Sequence, residues 1–188
     1  MADSLRFPEL GTERLMLRQP TRADADAVYR IFSDPEVLRY YNVDFMTRRD
    51  EAVALIESRR RRYEMGYGIR WGIYLRRTGE YIGSCGFEML HKPWRYAEIG
   101  YELGRPYWRQ GYMTEALRAM IRFGFERMEM HRIEAQVEPP NEASKAVLRR
   151  LGFREEGVAR ERGHWHGSFH DLAQFGLLRD EFESGATS

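Results

Sequence analysis

Along the chain, apolar and polar residues alternate in some stretches and recur every three to four positions in others, which divides it into strands and helices. Arg14-Leu15-Met16-Leu17-Arg18 reads as a short first strand. Thr21 with Asp24 three positions later is a helix-start signature for residues 22–32, and Ser33-Asp34-Pro35 opens a further helical turn. Thr47 with Asp50 predicts the cap of a longer helix running to about Met65, with Ala52, Leu55 and Ile56 as its apolar stripe. Residues 69–75 and 81–87 read as strands joined by a hairpin turn at Arg77-Thr78-Gly79-Glu80, with residues 98–103 as the next partner. Ala116, Ala119, Met120 and Phe123 mark one side of a helix from Thr114 to about Arg127, and residues 132–137 form a fifth strand. A helix over 142–151 ends at Gly152, which suits a left-handed cap, and residues 155–162 and 171–178 make a last antiparallel pair around Gly167. The expected fold class is α/β (α+β): a mixed, mostly antiparallel sheet of about seven strands flanked by helices, in a single domain over 1–188 with its core at about 13–182.

At 188 residues the chain is long enough to bury a substantial core in one domain. No apolar run approaches the roughly 20 residues of a membrane helix, and the first residues lack an apolar stretch of signal-peptide length. Cys85 is the lone cysteine and cannot form an internal disulfide, so a buried structural thiol and a cytoplasmic location are expected. A net charge of +1 argues against general nucleic-acid binding. The run Arg59-Arg60-Arg61-Arg62 projects to all sides of its helix and reads as a solvated helix end. His164-Trp165-His166 with His170-Asp171 matches no closed zinc set, so no metal is expected.

The most informative stretch is Glu98-Ile99-Gly100-Tyr101-Glu102-Leu103 followed by Gly104-Arg105-Pro106-Tyr107-Trp108 and Arg109-Gln110-Gly111-Tyr112-Met113-Thr114. It reads as strand, broken loop and helix start. The first N–H groups of a helix lack intrahelical partners and lie at the positive end of its dipole, so Arg109, Gln110, Gly111, Tyr112, Met113 and Thr114 form a candidate cradle for phosphate oxygens. Gly111 has no side chain to hold a ligand away. About thirty residues on, Asn141-Glu142-Ala143-Ser144 precedes Leu151-Gly152-Phe153. With these two segments in this order, the chain resembles the GNAT superfamily of acetyl-CoA-dependent N-acetyltransferases, and within it the RimJ/RimL-like branch that modifies N-terminal amines of ribosomal proteins. Trp108 and Met113 stand where the superfamily's loop usually has Gln or Arg and Gly or Ala, a variation common in this branch that keeps the backbone cradle.

The resemblance implies acetyl-CoA as acyl donor, a direct transfer to a primary amine, the two helices after the first strand as much of the acceptor site, and a homodimer as in many relatives. It implies Ser144 as the acid for the departing thiolate, with Leu148 standing where many relatives have a Tyr, and Asn141 as both helix cap and contact to the pantetheine arm. The N–H of Leu103 is expected to bind the thioester oxygen. Glu102, at the end of its strand, is the leading general base, with Glu88 and Glu138 as rivals. Trp71, Trp94, Trp108 and the Tyr40-Tyr41 pair are candidates for an acceptor pocket. Neutralising a lysine, with pKa about 10.4, costs roughly 3.5 kcal/mol more than neutralising an α-amine near 7.8, so a site without an evident strong base suits a protein N-terminus. The alternatives are a small amine such as a polyamine, amino acid or aminoglycoside, and, in another class, a catalytically silent CoA-binding regulatory module.

Overall fold

Strands rich in Ile, Leu, Tyr and Phe assemble into one open sheet in the computed structural model, which describes residues 7–185, with side chains described through Phe182. In chain order the strands are β1 (Leu10–Gly11), β2 (Leu15–Arg18), β3 (Ile69–Leu75), β4 (Tyr81–His91), β5 (Tyr96–Leu103), β6 (Arg132–Val137), β7 (Arg154–Trp165) and β8 (Ser168–Leu178). They are ordered β1-β2-β3-β4-β5-β6-β8-β7, eight strands rather than about seven, because the two-residue Leu10–Gly11 pairs with β2. Among the described pairings only β5 with β6 is parallel. β4 runs past Phe87 to His91 through an irregularity between Phe87 and Met89, which keeps it paired with β5 after the register shifts.

The helices are α1 (Ala25–Phe32), α2 (Pro35–Leu38), α3 (Arg49–Glu64), α4 (Tyr112–Glu126), α5 (Glu142–Arg150) and α6 (Arg179–Gly185). Thr21 and Asp24 form the expected capping box, but over a 3-10 turn at Arg22–Asp24 that precedes α1. The expected cap of α3 at Thr47 and Asp50 shifts by one residue: Arg48 is the extended N-cap, and Glu51 Oε2 accepts the N–H groups of Thr47 and Arg48 at 2.7 and 3.0 Å. Only Glu51, at the third helical position, reaches back to those donors. α4 starts at Tyr112, two residues earlier than the pattern suggests, because Gly111 takes φ 79° and turns the chain directly into the helix. Its core stripe is Met113, Ala116, Leu117, Met120, Ile121, Gly124 and Phe125, with Phe123 at the margin against Trp71. Gly152, at φ 93°, ends α5 as expected.

Two apolar clusters result. One packs α4 and α5 on Ala97, Ile99 and Leu103 of β5 and on Ile133, Ala135 and Val137 of β6. The other joins α1, α2 and α3 to Tyr74 and Tyr81 on the opposite side of the sheet. Strand alternation assigns Glu98, Gly100 and Glu102 to that second side.

Beneath α3 the second side is ionic. Arg70, only 5% exposed, donates to Glu102 and Glu88 through its two Nη atoms and to Ser84 Oγ through Nε at 2.8 Å. Tyr41 Oη accepts from Arg70 at 3.0 Å and donates to Glu102 at 3.1 Å. Burial opposes the charge on Arg70, but Glu102, Tyr41 and Glu88 hold its pKa well above the ordinary value. Removing one partner of such a buried set leaves an uncompensated charge. Arg70→Met should therefore lower the unfolding free energy by about 3–5 kcal/mol in urea denaturation at neutral pH; a loss below about 1 kcal/mol would show that the carboxylates do not depend on it.

Candidate active site

β5 and β6 pair only at Tyr96↔Arg132, Ala97↔Ile133 and Glu98↔Glu134, and no further pairing holds them together toward Leu103 and Val137. A wedge opens between them. In the antiparallel pairing with β4, Gly104 N–H donates to the Ile82 carbonyl at 2.8 Å, and Gly83 lies opposite Leu103. That register makes Leu103 and Tyr101 non-hydrogen-bonded positions, whose N–H and C=O groups point away from β4 and into the wedge. The Leu103 carbonyl is taken by Trp108 Nε1 at 2.6 Å, and the N–H of Leu103 faces the opening.

The loop between β5 and α4 brings the expected cradle to the mouth of this wedge. Arg109 and Gly111 both have positive φ, 59° and 79°, and Gly111 is the N-cap of α4, so successive N–H groups through Tyr112, Met113 and Thr114 converge at a helix start. Arg14, in the turn before β2, braces the loop, donating through Nη1 to the Gln110 carbonyl at 2.9 Å and through Nε to Glu115 at 2.6 Å. Gln110 turns back to the Pro106 carbonyl at 2.8 Å, and Met113 is buried in the core, so both contribute backbone only. Thr114, Arg118 and Arg122 share one side of α4 and, with Arg150, line a hollow of about 460 Å³ beside Gly111. Three guanidinium groups next to a helix start suit a polyphosphate. The sequence pattern did not single these arginines out, although the i, i+4 spacing of Arg118 and Arg122 on α4 was there to be read.

On the other side of the wedge lies a cavity of about 460 Å³. Tyr40 and Tyr41, Arg59 and Arg62 of α3, Glu88, Glu98, Gly100 and Tyr101, and Glu138, Asn141, Ser144 and Trp165 all reach it. Asn141 caps α5, its Oδ1 accepting from Ser144 N at 3.1 Å. Ser144 Oγ lies 2.6 Å from Tyr101 Oη, an arrangement the sequence reading missed because Tyr101 comes from β5 and not from α5. Burial pushes the Tyr101 hydroxyl above its ordinary pKa, against the hydrogen bond with Ser144, so it stays protonated. Leu148, at the position of the absent tyrosine, is fully buried in the core.

The carboxylates divide differently from expectation. Glu102 does not line the cavity; it is 4% exposed and holds Arg70, Ser84 and Tyr41, with Arg59 at 3.7 Å, so its lone pairs are committed beneath the floor. Glu88 is opposed by burial but kept below the usual carboxylate range by Arg70, Arg59 and Arg62. Glu98, not singled out in the sequence, is raised above it by burial and then by Glu134, its partner across the parallel pair. Arg59 and Arg62 also depart from the solvated helix end expected of the arginine run: Arg59 reaches Ser84 at 3.2 Å and Arg62 the Glu88 carbonyl at 2.6 Å. Arg60 keeps to the surface, pairing with Glu57 and Glu64.

Of the aromatic candidates, Trp71 is fully buried, Trp94 is 73% exposed on the far hairpin with His91 and Tyr96, and Trp108 packs on the cradle loop; only Tyr40 and Tyr41 join the cavity, and Trp165 joins it unforeseen. The histidine segment forms the tip of the β7–β8 hairpin, where His166 stacks on Phe45 and lies 3.5 Å from Asp44. No group of three or more His, Cys, Asp or Glu suited to a metal occurs among the described residues. Cys85 is fully buried, and burial pushes its thiol up to about 12, the signature of a structural cysteine. No helix among the described residues is long and apolar enough to cross a membrane.

Residues 14–154 match the family described as Acetyltransferase (GNAT) domain. The uncharacterized N-acetyltransferase YoaA of Bacillus subtilis is 39% identical over 173 residues, covering 92% of this chain and 98% of its own. YdaF of the same organism, a proposed ribosomal N-acetyltransferase, is 38% identical over 129 residues, 69% of each chain. A solved structure from Vibrio cholerae, described as that of a proposed ribosomal-protein-serine acetyltransferase, superposes with a TM-score of 0.82 at 30% identity, covering 91% of this chain and 97% of that one.

The cradle makes a direct prediction. A Cβ at Gly111 would sit 3.4 Å from Arg14 on a backbone at φ 79° that a branched side chain resists. Gly111→Val should weaken acetyl-CoA binding about tenfold, near 1.4 kcal/mol by calorimetry, in a variant that remains folded. An unchanged dissociation constant would rule the cradle out.

Proposed function

The chain belongs to the GNAT family of acetyl-CoA-dependent N-acetyltransferases, and on that premise we propose that its acceptor is the α-amine of a protein N-terminus, modified in the cytoplasm. The observation that carries this reading is the single cavity in which the Ser144–Tyr101 hydroxyl pair, the open wedge and the arginine-bearing face of α3 meet. Bound acetyl-CoA supplies the activated acyl group and a thiolate leaving group. The N–H groups from Arg109 to Thr114 hold its pyrophosphate, Asn141 and the wedge edge of β5 take its pantetheine arm, and the Leu103 N–H meets the developing oxyanion. Ser144 Oγ gives its proton to the departing sulfur, with Tyr101 poised to replace it.

Two features favour a peptide acceptor. Arg59 and Arg62 on the cavity wall can donate to the carbonyl groups of a peptide, while Glu88, Glu98 and Glu138 on the same wall suit the one ammonium that its N-terminus brings. The descriptions of YdaF and of the Vibrio cholerae structure name ribosomal proteins as acceptors of those proteins, and the lower cost of neutralising an α-amine agrees with a site whose buried Glu102 is already committed to Arg70.

Ser144→Ala should lower kcat about ten- to a hundredfold with little change in KM for acetyl-CoA; full kcat would remove Ser144 from the proton path. For the acceptor, peptides with a free N-terminus and arginine in place of every lysine should be acetylated, and the same peptides blocked at the N-terminus but carrying lysine should not. Preference for the blocked, lysine-bearing peptides overturns the α-amine reading. Turnover of polyamines or aminoglycosides with inert peptides moves the enzyme to small-molecule acceptors, and tight acetyl-CoA binding with no thiol release from any amine points to a silent binding module.

A further inference from the structure

We infer that Glu138, held by His170, is the seat of the acceptor ammonium and the group that takes its proton, an assignment that rests on the acetyl-transfer reading above. The side chain lines the cavity and is 12% exposed. Oε2 lies 3.3 Å from His170 Nδ1, while Oε1 is buried and has no hydrogen-bond partner among the described residues. A buried carboxylate oxygen left unmet is costly, so the site is completed by a donor from outside the chain. A primary ammonium is such a donor: it is cationic, compact and carries three N–H groups.

His170 fixes where that oxygen points. Its ring lies parallel to Trp165, with centroids 4.0 Å apart and planes within 5°, and its Nε2 is 3.3 Å from the Trp165 carbonyl. A carbonyl only accepts, so Nε2 is the donor to Trp165, and Nδ1 faces Oε2. Pinned at both nitrogens and stacked on an indole, the imidazole orients the carboxylate. The other end is tied to the thioester side of the wedge. Asn141 N–H donates to the Glu138 carbonyl at 2.9 Å across Pro139-Pro140, and the Asn141 side chain in turn holds the N–H of Ser144. Two prolines and two hydrogen bonds set the spacing between Oε1 and Ser144 with little freedom.

The proton balance follows. The ammonium donates to Oε1 and leaves one proton there; the freed lone pair forms the C–N bond as the C–S bond breaks, and sulfur keeps the electron pair. Of the two protons the nitrogen loses, Glu138 passes one to solvent at the cavity mouth, and the other restores the Ser144–Tyr101 hydroxyl pair after Ser144 has protonated sulfur.

The test is steady-state thiol release from acetyl-CoA with glycinamide, a generic α-amine, run beside the N-terminal peptides. Glu138→Gln keeps the shape but loses the charge and basicity, and should lower kcat/KM for the amine about a hundredfold while leaving KM for acetyl-CoA within about twofold. Glu138→Asp should lose less. His170→Phe keeps the stack on Trp165 without the contact to the carboxylate, and should raise the amine KM about tenfold, with His170→Gln restoring part of it. An amine kcat/KM unchanged in Glu138→Gln, an equal loss in acetyl-CoA KM, or a loss that appears only in Glu98→Gln overturns the assignment. If peptides are inert while glycinamide is turned over in a Glu138-dependent way, the seat stands and the peptide reading fails; absence of turnover with any amine overturns both.

Discussion

The parting of β5 from β6 is the constraint on which the rest of the structure depends. Two parallel strands that stay paired seal their main chains against each other; here the ladder stops after Glu98↔Glu134. Every later backbone group on the inner edge of β5 must then find another partner, because buried amides and carbonyls are costly when left alone. Leu103 solves half of this internally by accepting from the Trp108 indole. The remaining donors are what an extended, amide-bearing ligand would satisfy by acting as an extra strand. Binding of the acyl donor is thus written into a place where the sheet is deliberately unfinished.

Opening a sheet in its middle weakens it, and the two faces compensate by different means. On one side α4 and α5 span the gap with aliphatic packing, since Met113, Leu117 and Leu148 touch a core that includes both strands. On the other, apolar packing would fill the space an acceptor needs. That side is held by the Arg70 set, in which Glu102, Glu88, Ser84 and Tyr41 are linked from β3, β4, β5 and the segment after α2. Ion pairs of this kind contribute little net stability compared with hydrocarbon, but they are strongly destabilising when broken and they fix one arrangement. A polar floor with one geometry is what a cavity for a charged amine requires.

How much of this was legible in the sequence depended on the range of the interaction. Local signals read true: the capping box at Thr21 and Asp24, the Gly152 terminator, the glycine before α4 and the Asn141 cap are settled within four residues of themselves. Glu102 shows where the reading runs out. Its strand-end position suggested a free carboxylate, but Arg70 lies 32 residues away and nothing near Glu102 announces it. Arg59 likewise looked solvated because a helix periodicity cannot see the sheet below it. Tyr101 was within reach, since alternation places it with Ile99 and Leu103 on the side of α5, yet its contact with Ser144 spans 43 residues and needs the fold to be known.

The same separation of ranges bears on how the acceptor is chosen. The proposed chemistry of transfer lies on the wedge, between β5, β6 and the starts of α4 and α5, and these are the segments with the recognisable motifs. The cavity rim is made elsewhere, by the stretch around Tyr40 to Phe45 and by the β7–β8 tip, which touch through Phe45 stacked on His166 and Asp44 near its Nε2. Those two segments are more than a hundred residues apart, and neither contributes to the phosphate cradle. Their contact joins the side of the cavity lined by residues 40–44 to the Trp165 side. The hairpin also carries His170 and Trp165, so the loop that limits what enters is continuous with the one that orients Glu138. The proposed proton acceptor is thus oriented from the hairpin that meets the stretch of residues 40–45, while its main chain is tied through Asn141 to Ser144 on the donor side.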